Sequence, residues 1–104
     1  LTRKGKNNAQ KTLQLLRNVA FDYELNRETE QKTAELVIRY FQNKPDSRIS
    51  PAIILSALLY YVGQLTQLHM SRAAICRALN VSLKWATNQY REIIKVIEQD
   101  FQRK

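Results

Sequence analysis

Between Ala52 and Val62 the chain carries no charged residue and only one clearly polar one, Ser56. Ser50, just ahead of this run, offers a side-chain oxygen to free backbone amides, and Pro51 has no amide to lose. Together they start a helix, for which Gly63 is a natural stop. A helix that is apolar all round must be wrapped on every side. It is too short to span a bilayer, which needs ~20 apolar residues, so no membrane partner is expected. Ser50 to Gly63 is therefore read as a central core helix with the rest of the chain as its jacket.

What can form that jacket is limited by the scarcity of chain breakers. Only two glycines and two prolines occur in 104 residues, leaving little material for hairpins, so one all-α domain is expected. Cys76, the single cysteine, excludes an internal disulfide framework, and no Cys/His cluster has metal-ligand spacing; no cofactor is implied. Residues 1–8 read as a flexible basic lead-in with Arg3, Lys4 and Lys6, and the missing initiator Met is expected of a piece of a longer chain. With no apolar run behind that start, a signal peptide is not expected. The default location is intracellular, nuclear in a eukaryote and cytoplasmic in an archaeon or a cytoplasmic virus. A net charge of +8 favours polyanionic partners, nucleic acid or acidic protein surfaces, although lysine also serves solubility.

From Ala9 the pattern is helical, with Leu13, Leu16, Val19 and Ala20 on one face and Phe21, Tyr23 and Leu25 closing this helix onto the next. Asn26 caps a second helix, whose stripe is Ala34, Val37, Ile38 and Phe41 with Tyr40 at the margin, and Pro45 ends it. After the central helix, Leu65 to Met70 form a connector anchored by Leu65 and Leu68. Ser71 caps a short fourth helix, Arg72 to Leu79. Asn80 suits the left-handed conformation that would end it. Ser82 caps a fifth helix running to about Phe101.

The fourth and fifth helices have helix-turn-helix spacing. Cys76 fills the small-residue place on the first of them, Leu79 and Val81 wedge the turn, Asn80 bends it, and Ala86 faces back. On the fifth helix Ala86, Tyr90, Ile93, Ile94, Ile97 and Phe101 share the core stripe. Lys84, Asn88, Arg91 and Lys95, at steps of four, three and four, fall nearly opposite, with Thr87 at their edge. Such a face has the donors that phosphates and base edges accept; an ordinary solvated face has the same composition. Trp85, off the core stripe, either marks a DNA or protein contact or folds down over a neighbouring helix.

Several segments resemble one cyclin-type repeat of the transcription factor IIB family (TFIIB, with its archaeal TFB and Brf relatives). They are the Ser-Pro-Ala start and Ala-Leu-Leu-Tyr of the central helix, then Ser-Arg-Ala-Ala-Ile-Cys-Arg-Ala-Leu-Asn-Val-Ser and Asn-Gln-Tyr-Arg-Glu-Ile-Ile. The last segment is more similar to the C-terminal repeat. The resemblance implies a five-helix, cyclin-box-like bundle over residues 9–102, ending in a helix-turn-helix. It also implies docking on the complex of TATA-binding protein with double-stranded promoter DNA, in support of RNA polymerase recruitment. Matched position by position, DNA contact falls on Lys84, Trp85, Thr87 and Asn88, with Arg91 a phosphate contact. Lys95, from the same polar face, and Arg72 are further basic candidates for DNA contact. Thr87 stands where the family places a base-reading arginine, which puts sequence-specific reading in doubt.

His69 has no partner constellation for metal or acid–base work, Cys76 reads as a small buried hydrophobe, and no phosphate-binding glycine loop or nucleophile elbow occurs. No enzyme is expected. Two competing readings stay open: a cyclin-like adaptor that binds a kinase or other protein without DNA, and a dimeric helix-turn-helix regulator on a palindromic site.

Overall fold

Each helix of the chain begins under a side-chain oxygen. The computed structural model describes residues 2–102, and they form α1 (Arg3–Asp22), α2 (Arg27–Asn43), α3 (Pro51–Thr66), α4 (Arg72–Ala78) and α5 (Leu83–Gln102). Thr2, Asn26, Ser50, Ser71 and Ser82 accept hydrogen bonds from the amides of Gly5, Thr29, Ile53, Ala74 and Trp85 at 2.7–3.3 Å. These bonds satisfy amides that the first turn of a helix leaves without partners. No strand occurs among the described residues.

Helix α3 packs against all four others, as its apolar circumference requires. Ile54, Leu55, Leu58 and Leu59 are fully buried, and Phe41 of α2, Leu16 of α1, Ile75 of α4, and Ile93 and Ile97 of α5 close around them. Three buried hydroxyls are satisfied within their own helices. Thr12 donates to the carbonyl of Asn8 at 2.8 Å, Thr33 to Thr29 at 2.7 Å and Ser56 to Ile53 at 2.6 Å. Thr66 donates its one proton to the carbonyl of Val62, so Thr29 is the donor in its 2.8 Å contact with Thr66. Two further links fasten the jacket. The Asp100 carboxylate at the end of α5 accepts from Arg39 at 2.9 Å and from Asn43 at 3.1 Å, both on α2. The Arg39 guanidinium also lies 4.9 Å from the centre of the Phe101 ring.

The structure corrects several expectations at the ends of elements. The lead-in is helical from Arg3, before Ala9; Leu1 lies outside the described residues. Thr2 caps this early start, and Gly5 packs it down. A Cβ on Gly5 would stand 3.0 Å from Pro45 Cβ and 3.1 Å from the Phe41 carbonyl oxygen. Asn8 adds a 3.2 Å bond to the Pro45 carbonyl. A glycine and an amide do this work, so no apolar period announces it.

At the other end of the central helix, Gly63 is not the stop. The helix continues to Thr66, and Gln67 takes the left-handed conformation at φ 58°. Gly63 serves packing instead, since a Cβ there would meet Leu68 Cβ at 3.2 Å. Leu65, expected as an anchor, is helical and 65% exposed, whereas Leu68 does pack on the core.

Phe21 and Tyr23 do not close α1 onto α2. Phe21, one step past the buried Ala20, falls on the outer side at 85% exposure, and Leu25 alone makes the closure. On α2 the places of Ile38 and Tyr40 are exchanged. Tyr40 is buried, edge-on to Phe41 with ring centres 5.1 Å apart, because Ser47 partners its hydroxyl at 2.9 Å; Ile38 is at the margin. Phe101 is half exposed, not sealed in the stripe of α5.

Candidate nucleic-acid interface

The turn between α4 and α5 is built from backbone bonds that its sequence makes possible. The amide of Leu79 bonds to the carbonyl of Ile75, that of Asn80 to Arg77, and that of Val81 to Cys76, at 2.9–3.2 Å. Asn80 stands at φ 55°, a left-handed position that asparagine adopts at low cost. Ile75, Cys76 and Leu79 are buried beneath the turn, and Ala86 is buried on the facing side. The four small or apolar positions singled out for the helix-turn-helix, Cys76, Leu79, Val81 and Ala86, therefore sit at or under the junction.

Helix α5 divides cleanly. Ala86, Ile93, Ile94 and Ile97 are buried, and Tyr90 is half-buried beside them. Lys84, Asn88, Arg91 and Lys95 are all exposed, on the opposite side of the helix. None of the three cations forms an ion pair among the described residues. Thr87 is exposed at their edge. Glu92 and Glu98 share the outer side, so the row is basic but not free of acid. Trp85 stands 58% exposed near the start of α5, which leaves much of its indole open to a partner.

Arg72 occupies a different setting. Its guanidinium lies 4.4 Å from the centre of the Tyr60 ring and 4.7 Å from that of Tyr90. The two rings meet edge to face at 5.7 Å. One arginine at the start of α4 thus clamps α3 to α5, with its flat faces used for packing. Burial pushes the Tyr90 phenol above its ordinary value, and the nearby Arg72 charge works against that rise. The Cys76 thiol is likewise pushed up by burial, with Arg72 opposing, so it is a poor nucleophile at neutral pH.

Arg77, exposed in the last turn of α4, is a further cation of the same region, outside the row expected from spacing. Its signal was present, since a basic residue beside the carbonyl end of a short helix suits the dipole and remains available to a phosphate. His69 lies exposed in the connector after α3. Among the described residues no group of three or more His, Cys, Asp and Glu side chains comes together to hold a metal, and no helix is long and apolar enough to cross a membrane. Compared with protein-family models, curated proteins and solved structures, the chain matches none.

Proposed function

We propose that this chain is a DNA-binding module of transcription factor IIB type, a cyclin-like repeat whose helix-turn-helix meets double-stranded promoter DNA. In that role it docks on the TATA-binding protein–promoter complex and, within a whole factor, supports RNA polymerase recruitment. It is a binding module rather than an enzyme. The observation that carries the reading is the row Lys84, Asn88, Arg91 and Lys95, exposed on the second helix of the motif, its cations in no ion pair among the described residues. The family part of the reading rests on the segments quoted above. The chemistry available is mostly phosphate chemistry: three cations and an amide fix position on a duplex. Thr87 offers a hydroxyl and a methyl, not the forked donor that reads guanine. Strong salt dependence and weak base preference follow.

A fluorescence titration of a TATA-containing duplex, with and without TATA-binding protein and at two salt concentrations, tests this. Tight binding that requires the TATA-binding protein supports the full reading. Salt-sensitive binding to any duplex keeps the DNA module and removes the promoter-complex role. Absence of binding at low salt transfers the case to the adaptor reading. A specific feature favours that second reading: a groove beside the central helix, lined by Leu36, Tyr61, Val62, Leu65 and Phe101 with Lys32 and Glu35 at its rim. At about 190 Å³ it is small for a metabolite but wide enough for an apolar side chain of a partner protein.

A further inference from the structure

The most one-signed surface of the molecule is not on α5. Over Arg3 to Arg17, α1 carries Arg3, Lys4, Lys6, Lys11 and Arg17, all exposed, and its one acid is Asp22 at its last position. Asn7, Gln14 and Asn18 lie exposed between them, adding neutral donors. The other two long charged helices, α2 and α5, mix their charges. On α2, Lys32 pairs with Glu28 at 3.2 Å, and α5 has Glu92 and Glu98 among its cations. Mixed signs are what solubility alone calls for. Asp22 lies beyond the cations of α1, and among the described residues the one ion pair to α1 is Asp46 with Lys4 at 3.7 Å, both side chains more than 70% exposed, where water screens the pair. Arg3, Lys4 and Lys6 moreover crowd the positive end of the α1 dipole, an unfavourable arrangement that a bound polyanion offsets.

The position of this face matters as much as its charge. α2 packs against both α1 and α5, and both of those pack against α3. The outer sides of α1 and α5 therefore look away from a shared core in different directions, and a duplex lying on α5 leaves α1 uncovered. From Arg3 to Arg17 the cations extend over ~21 Å of helix, long enough to lie along several phosphates of a duplex bearing one charge per ~1.7 Å of axis. Single strands are held by stacked aromatic rings, and this face offers none before Phe21 at its end.

We propose that α1 is a second contact surface for double-stranded nucleic acid, through which one molecule holds two duplex segments at once. The inference rests on the reading of α5 as a duplex-binding face, but not on the TATA-binding protein. The contacts are to phosphates, so either segment can have any sequence.

A capture assay tests it directly. A biotinylated duplex is fixed on beads, a fluorescent duplex of unrelated sequence is added, and the native chain is compared with two variants whose melting profiles match it. One is Arg3→Gln/Lys11→Gln/Arg17→Gln, the other Lys84→Gln/Arg91→Gln/Lys95→Gln. The native chain is expected to retain the fluorescent duplex. The α1 variant is expected to lose that capture at least about tenfold while its affinity for one duplex falls no more than about threefold. Capture by the α1 variant equal to native overturns the proposal, because bridging then comes from another surface or from a dimer. A native chain that binds single duplexes but captures none overturns it too. Failure of the α5 reading looks different: there the α5 variant binds and captures as the native chain does.

Discussion

Helices α3 and α5 are neighbours of similar length, and they put their residues to opposite use. α3 spends nearly its whole circumference on burial, from Ile54 through Leu59 and on to Val62 and Gly63. α5 buries one stripe and leaves Lys84, Asn88, Arg91 and Lys95 to solvent. The difference separates stability from function. Over its buried run α3 has no side chain to offer a partner, and only its last turns, at Tyr61 and Leu65, reach the surface groove, while a helix packed on one side is both held in place and free to act. Changes on α3 should therefore be read in unfolding experiments, and changes on the outer side of α5 in binding experiments.

The largest effect on the stability side is expected at Leu58, fully buried in α3. Leu58→Ala should lower the unfolding free energy by about 2–5 kcal/mol in a denaturant titration, while any molecules still folded bind DNA as before. A loss below about half a kilocalorie would remove α3 from the centre of the fold. Next in size is Gly5→Ala, where the added methyl has the Pro45 ring and the rigid Phe41 carbonyl within 3.1 Å. A destabilisation of about 1–3 kcal/mol is expected, against the usual gain from alanine in a helix. A stabilised variant would show that the first turn of α1 is not pressed against α2. Arg72→Ala removes the clamp on Tyr60 and Tyr90 and should cost roughly 0.5–2 kcal/mol. Loss of DNA affinity from this variant out of proportion to its stability would show that Arg72 serves the proposed binding face as well as the clamp.

The smallest effect is confined to alkaline pH. Tyr40 is raised above its ordinary value of 10.0, chiefly by burial, with the Ser47 hydrogen bond opposing and Glu92 adding to the rise. The folded state therefore holds the phenolic proton more tightly than the unfolded chain. That contribution is fully present below pH 10 and is lost as pH rises through the folded-state value. Tyr40→Phe should flatten the decline of stability above pH 10 in melts taken across that range. An identical decline in both proteins would assign it to other groups.

The interior was legible in the sequence wherever periodicity carried it. The charge-free run to Val62 announced the central helix, and Asn26, Ser50, Ser71 and Ser82 were recognisable caps because each precedes a helical pattern. The split of α5 into Ile93, Ile94 and Ile97 inside and Lys84, Asn88 and Arg91 outside followed from spacing alone. What stayed hidden depends on partners distant in the chain. Gly5 reads as a breaker until Pro45 and Phe41 are seen against it, and Gly63 reads as a stop until Leu68 is. Tyr40 reads as marginal until Ser47 supplies its hydroxyl with a partner. Arg72, one more cation in the sequence, becomes a clamp once the fold brings two tyrosine rings beside it.

The division of labour between the buried helix and the open face is tested most directly by Lys84→Glu/Arg91→Glu. Both side chains point away from the core, so thermal unfolding should superimpose on that of the parent. Affinity for a duplex at low salt should fall at least about 100-fold, and the salt dependence of residual binding should flatten by about two ions. A variant that melts like the parent and binds DNA equally well would contradict the placement of the binding face on α5.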